Sequence, residues 1–227
     1  MIASKKTLTL VLALAAAGAA HAQTSLGVEY LSTNGINVMT TGTPFGYKTG
    51  EMNFLGSDGS SFAAYCVELA QGNAPKSAGL QTYTFGSFTD SQAGLLEGLY
   101  SSSFSSVSSN TDKAAFQVAI WSIMSATPSS TTLNVDAQGG GNLQAIALGT
   151  SSAPNTGSSY TQFVAQVDGY LAAANSYTGP AEYQLQKLVN ASYQDYVVAS
   201  PVPEPGSDAL LLAGLAAVGF IVRRRRR

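Results

Sequence analysis

The chain has 227 residues, 45% hydrophobic and 11% charged, with one cysteine, one histidine and a formal net charge of −2. That small balance conceals a partition: the five arginines are Arg223 to Arg227, Lys5 and Lys6 precede the first apolar run, and residues 23–200 set four lysines against eleven acids. An acidic, arginine-free middle excludes nucleic acid as a partner, because phosphate neutralisation and base reading lean on clustered Arg and Lys. The lone His21 lies in a segment expected to be removed, which excludes Ser-His-Asp and Cys-His catalysis and an imidazole metal site.

Residues 1–22 read as a secretory signal. Lys5 and Lys6 form its positive start, the run from Leu8 to Ala20 its apolar centre, and Ala20-His21-Ala22 its cleavage site, so signal peptidase is expected to cut between Ala22 and Gln23. The exported body, residues 23–199, is long enough for a sizeable core. Its β-rich segments, broken by Gly, Asn and Pro, predict strands over 26–31, 36–40, 45–55 and 62–69.

The pattern then changes to a helical one. Ala93, Leu95, Leu96, Leu99 and Tyr100 predict a helix over 90–100 with Asp90 as N-cap, and the serine-rich stretch 101–109 predicts a loop. Asn110 or Thr111 caps the next helix, Asp112 faces the positive end of its dipole, and its body 114–126 is apolar nearly all round, as a buried helix should be. Pro128 stops it. Residues 129–158, rich in Ser, Thr and Gly, predict irregular chain; Gly139-Gly140-Gly141 lacks a following Lys-Ser/Thr and is loop, not a phosphate cradle. Phe163, Val164, Val167, Tyr170 and Leu171 predict a helix over 159–175, and 183–189 and 193–198 predict two closing strands. Strands, helices and strands again predict an α+β domain, a β-sandwich or barrel-like framework with a helical insertion.

The tail follows. Residues 200–208 predict a Pro-rich linker holding Pro203, Glu204 and Pro205, and 209–222 an apolar segment of fourteen residues. That is short of the roughly 20 that span a bilayer, but snorkelling arginines extend it into a transmembrane helix. Arg223, Arg224, Arg225, Arg226 and Arg227 form a basic stop that stays cytoplasmic. Pro-Glu-Pro, a short hydrophobic helix and a terminal arginine cluster, in that order, resemble the PEP-CTERM sorting signal of Gram-negative bacteria. The resemblance implies processing by the membrane protease exosortase, an inner-membrane intermediate, and residence at the cell surface or in an extracellular matrix associated with exopolysaccharide and biofilm.

One cysteine in an exported chain cannot form an internal disulfide, so Cys66 needs another explanation. Strand alternation puts Ala64, Cys66 and Glu68 on one face and Tyr65, Val67 and Leu69 on the other. Free cysteine is often simply a small buried hydrophobe. In the buried helix, Gln117 is the lone strongly polar residue from Ala114 to Trp121; leaving a buried carboxamide without partners costs roughly 1–3 kcal/mol, so it should be hydrogen-bonded. Trp121, at i+4, shares its face.

Tyr65-Cys66-Val67-Glu68 and Phe116-Gln117-Val118-Ala119-Ile120-Trp121 resemble two motifs of the thioester domains of bacterial surface adhesins, with Phe116 in place of the usual Thr. The resemblance implies a bond between the Cys66 sulfur and the side-chain carbonyl of a glutamine near the end of the domain, formed with loss of ammonia, with Tyr65, Gln117 and Trp121 in support. The stored electrophile is then captured by an amine on the target, without cofactor or metal. Candidates for the partner are Gln194, which fits best by position, then Gln186, with Gln184 two residues earlier on the same face. Glu68 is a candidate for assisting proton transfer, or an ordinary edge carboxylate. The leading expectation is a covalent adhesin, not an enzyme. A non-reactive structural protein of the exopolysaccharide matrix, with Cys66 in the core, and a hydrolase using paired carboxylates are the rivals.

Overall fold

The first strand, β1 (Ser25–Thr40), runs unbroken through Asn34-Gly35, where the sequence predicted a gap between two strands. Gly35 is a crossing point instead of a turn. It pairs with Gly50 of β2 (Thr43–Gly56), and a Cβ at Gly35 would run into the Thr49 carbonyl. Gly50 itself has a φ of 149°, which favours glycine. The computed structural model describes residues 24–40, 43–126, 145–150 and 152–203, with the single positions 214, 215, 218, 221 and 224. The signal segment with its Ala22/Gln23 junction, the Gly139-Gly140-Gly141 loop, Glu204, Pro205 and most of the tail lie outside the described residues. Among the described residues no helix is long and apolar enough to cross a membrane.

Among the described residues every strand pairing is antiparallel, and six of the strands close a ring. β1 pairs β2; β2 pairs β3 (Ser61–Cys66); β3 pairs β8 (Tyr196–Pro201); β8 pairs β7 (Tyr183–Val189); β7 pairs β4 (Gln81–Gly86); and β4 returns to the start of β1. The far end of β1 also carries β5 (Ala145–Thr150), which pairs with β6 (Ala153–Asn155). The barrel-like framework of the sequence reading is this ring. β4 was not anticipated, although Tyr83 and Phe85 alternating with Thr82 and Thr84 between Gly79 and Gly86 carry a strand signal. β5 and β6 fall in the stretch read as irregular, where Ser, Thr and Gly mask short pairing segments.

Three helices are inserted between β4 and β7: α1 (Asp90–Ser103), α2 (Asn110–Ser125) and α3 (Ser158–Ser176). The caps sit earlier than expected, at Thr89 in place of Asp90 and at Ser109 in place of Asn110 or Thr111. Thr89 with Gln92, and Ser109 with Asp112, form reciprocal capping boxes. α1 also continues through Ser103 into a 3-10 turn, so the serine-rich loop is shorter than predicted. α2 is buried along ten consecutive residues, from Ala114 to Ile123.

Aromatic rings pack both faces of the sheet. Phe54, Tyr83 and Tyr196 meet on one face, with centroids 4.7 and 5.5 Å apart. On the other, Tyr65 lies against Phe104 and Phe116, which also touch Tyr100. β3 separates these layers: Cys66 is the cross-strand partner of Tyr196, whereas its neighbour Tyr65 faces the helices.

Candidate functional site around Cys66

Cys66 is the last residue of β3, and the pairing of β3 with β2 stops two residues earlier, at Met52 and Ala64. Its backbone is therefore left without a strand partner on that side. The Gln117 carboxamide fills the place: Cys66 N–H donates to Gln117 Oε1 at 2.8 Å, and Gln117 Nε2 donates to the Cys66 carbonyl at 2.7 Å. One side chain from α2 thus replaces a rung of the ladder and satisfies its own buried amide.

The thiol is equally confined. Cys66 Sγ donates to Gln194 Oε1 at 2.8 Å and lies 3.6 Å from Met52 Sδ. Cys66 is 0% and Gln194 1% exposed. Gln194 is held from three directions: its backbone N–H donates to the Gly72 carbonyl, its Nε2 donates to the Glu68 carbonyl at 2.7 Å, and its Oε1 takes the thiol. Gln184 and Gln186, on β7, are exposed, and Gln186 Nε2 reaches only backbone carbonyls of Gly86 and Lys187. Of the three glutamines, the fold places Gln194 against the sulfur.

Gln194 is not on a strand, as the span 193–198 implied; β8 begins at Tyr196. Asn190 bends the preceding chain, accepting the N–H groups of Ser192 and Tyr193 at its side-chain oxygen. Glu68 differs too. β3 ends at Cys66, so Glu68 does not share a strand face with it; its carboxylate accepts the Asp195 N–H at 3.3 Å while its carbonyl takes Gln194. Burial pushes the Cys66 thiol well above its ordinary pKa, and the nearby Glu68 carboxylate adds to the rise, so the sulfur rests as a thiol at neutral pH.

Tyr65 and Phe116, with ring centroids 5.2 Å apart, wall the helix side of the cysteine strand. Trp121 is buried one turn beyond Gln117, and its indole N–H has no hydrogen-bond partner among the described residues. Sequence reasoning missed Met52, Gly72, Asn190 and Asp195, because each acts through a contact made across the fold. Asn190 alone left a local signal, a turn-forming residue between two β-rich runs. Among the described residues no group of three or more His, Cys, Asp or Glu is placed to hold a metal ion.

β8 carries Gln194 just before one end and leads into the sorting segment at the other. Ser200 and Pro201 still pair with Gln184 and Tyr183, and Val202 N–H donates to the Glu182 carbonyl, so the strand takes up the first residues read as linker. Pro203 follows directly.

No curated protein matches the chain by sequence. Among solved structures it is similar to the N-terminal domain of the Streptococcus pyogenes pilus tip adhesin Cpa, at 16% identity and TM-score 0.44 over 78% of this chain and 94% of that one. It is also similar to the N-terminal thioester domain of a Clostridium perfringens surface protein, at 11% identity and TM-score 0.46 over 79% and 100%. The N-terminal thioester domain of the fibronectin-binding protein SfbI from S. pyogenes gives 14% and 0.45 over 78% and 94%. Residues 201–227 match the PEP-CTERM protein-sorting motif, and the chain therefore ends in the sorting signal of an exported surface protein.

Proposed function

We propose that the exported domain forms an internal thioester between Cys66 and Gln194 and uses it to attach covalently to an amine on a surface or matrix target. The observation that carries this reading is the 2.8 Å contact of Cys66 Sγ with Gln194 Oε1, inside a site where Gln117 takes the Cys66 backbone and the Glu68 carbonyl takes Gln194 Nε2. In the condensation the Cys66 sulfur bonds to Gln194 Cδ, the Cδ–Nε2 bond breaks, and nitrogen leaves as ammonia with the thiol proton. The thiol hydrogen bond polarises the carbonyl that is attacked, and proximity supplies most of the acceleration. Glu68 accepts the neighbouring N–H of Asp195 at its carboxylate and Gln194 Nε2–H at its carbonyl, and so positions the glutamine.

Capture is the reverse exchange. A neutral amine attacks the thioester carbon, an amide forms, and Cys66 is released as a thiol. Burial keeps water from the bond until a partner engages. Exosortase acting on residues 201–227, by way of a membrane-spanning tail, would deliver the domain to the surface. β8 (Tyr196–Pro201) spans roughly 20 Å at about 3.3 Å per residue, and the site and the start of the sorting segment lie at its opposite ends.

Exposure to methylamine tests the reading. The folded chain should gain one methylamine at Gln194 and release one alkylatable thiol at Cys66, and Cys66→Ala should do neither. A wild-type chain whose Cys66 alkylates fully in denaturant without amine treatment would contradict it. A second reading, a non-reactive matrix protein, is favoured by the packing of Sγ on Met52 Sδ, as for an ordinary core cysteine. Under it, Cys66→Ala changes stability slightly and matrix retention not at all.

A further inference from the structure

Gln194 reaches the sulfur from a turn, and turns do not by themselves hold a side chain to the tolerance a condensation needs. Loss of geometry of about 1 Å at a reacting pair costs on the order of 100-fold in rate. The turn 190–195 is closed on itself. Asn190 N–H donates to Asp195 Oδ1 at 3.0 Å, so one carboxylate ties the first residue of the turn to the last, next to Gln194. Its other oxygen, Oδ2, lies 3.3 Å from Lys187 Nζ on β7, and Asp195 is only 9% exposed. Asp195 also joins the chain just past β3 through its main chain, its carbonyl accepting Val67 N–H and its N–H going to Glu68 Oε1. At the start of the turn, Asn190 Nδ2 donates to the Thr82 carbonyl of β4 at 2.9 Å.

We infer that Asp195, acting with Asn190, is a positioning residue for thioester formation: its carboxylate closes the 190–195 turn and so holds the Gln194 carboxamide on the Cys66 sulfur. The inference rests on the thioester reading. Asp195 touches neither the sulfur nor the carboxamide. It works through the backbone on either side of Gln194, and the conservative amide preserves the acceptor that Asn190 N–H needs.

The test follows the full chain after cell-free synthesis, reading free Cys66 by mass-tagging in denaturant at timed intervals. Asp195→Ala should slow the loss of free thiol about 10- to 100-fold, and Asp195→Asn, which retains an oxygen for Asn190, should recover most of that rate. Asp195→Ala at the wild-type rate, or Asp195→Ala and Asp195→Asn equally slowed, would overturn the inference. Should Asp195→Ala fold poorly, hydrogen exchange in a Cys66→Ala background, where no bond can form, gives a second readout. There Asp195→Asn should keep the amides of 190–195 protected and Asn190→Ala should expose them while β7 and β8 stay protected; unchanged exchange in Asn190→Ala would overturn the inference. A wild-type chain that never loses its thiol brings down the thioester reading and this inference together, whereas a normal wild type with an unaffected Asp195→Ala brings down only this one.

Discussion

Two stretches of the closing hairpin place glutamine beside an aromatic or aliphatic residue, and they end in opposite environments. On β7, Gln184 and Gln186 share by parity the face of the buried Leu188, but lie exposed further along it. In the turn before β8, Gln194 is buried against a thiol, its backbone and side chain anchored to Gly72, Glu68 and Cys66. The difference lies in the chain around each glutamine. The register of β7 sets Leu188, not Gln186, opposite Tyr196, the cross-strand partner of Cys66, while the turn closed by Asn190 and Asp195 brings one long side chain to the sulfur.

The sharpest way to break that contrast is to remove each glutamine in turn. Gln194→Ala should abolish the Cys66-dependent ammonia loss and leave Cys66 fully alkylatable in denaturant, whereas Gln184→Ala and Gln186→Ala should leave both measurements at wild-type values. A smaller effect is expected at the residue that fixes the cysteine side of the pair. Gln117→Ala strands the buried N–H and C=O of Cys66, at a cost on the order of 3 kcal/mol, read as a lowered urea midpoint in a Cys66→Ala background so that no covalent bond intervenes.

The smallest effect belongs to the N-terminal cap of α2. Asp112 is held down to about pKa 2, chiefly by the Ser109 N–H that it caps and also by Gln166. A carboxylate whose folded pKa lies below its unfolded value contributes stability above the unfolded pKa and loses it as pH falls through the folded one. That contribution should fade between about pH 4 and pH 2, and Asp112→Asn should remove this part of the acid-unfolding curve, as followed by circular dichroism.

Much of this arrangement was legible in the sequence, for reasons that can be named. The apolar circumference of α2 announced burial, and burial in turn demanded partners for Gln117; the structure supplies them in the Cys66 backbone. The singleton Cys66 and the order of strands, helices and strands were equally visible. Other features were hidden because they depend on distant pairings. Asn34-Gly35 has the composition of a turn, yet the steric demand that selects glycine comes from Thr49 and Gly50 across the sheet. Glu68 has the right spacing to face with Cys66, but β3 stops before reaching it, and its contacts go to Gln194 and Asp195, more than a hundred residues away. Asp195 was invisible for the same reason.

The most direct measurement is the mass of the exported domain set beside that of its Cys66→Ala variant. Wild type should fall short of its sequence mass by one ammonia more than the variant does, with Cys66 and Gln194 recovered in a single cross-linked peptide. Ammonia lost through cyclisation of an N-terminal Gln23 would appear in both chains and cancel. Equal deficits in the two chains, with Cys66 recovered as a free thiol, would contradict the thioester.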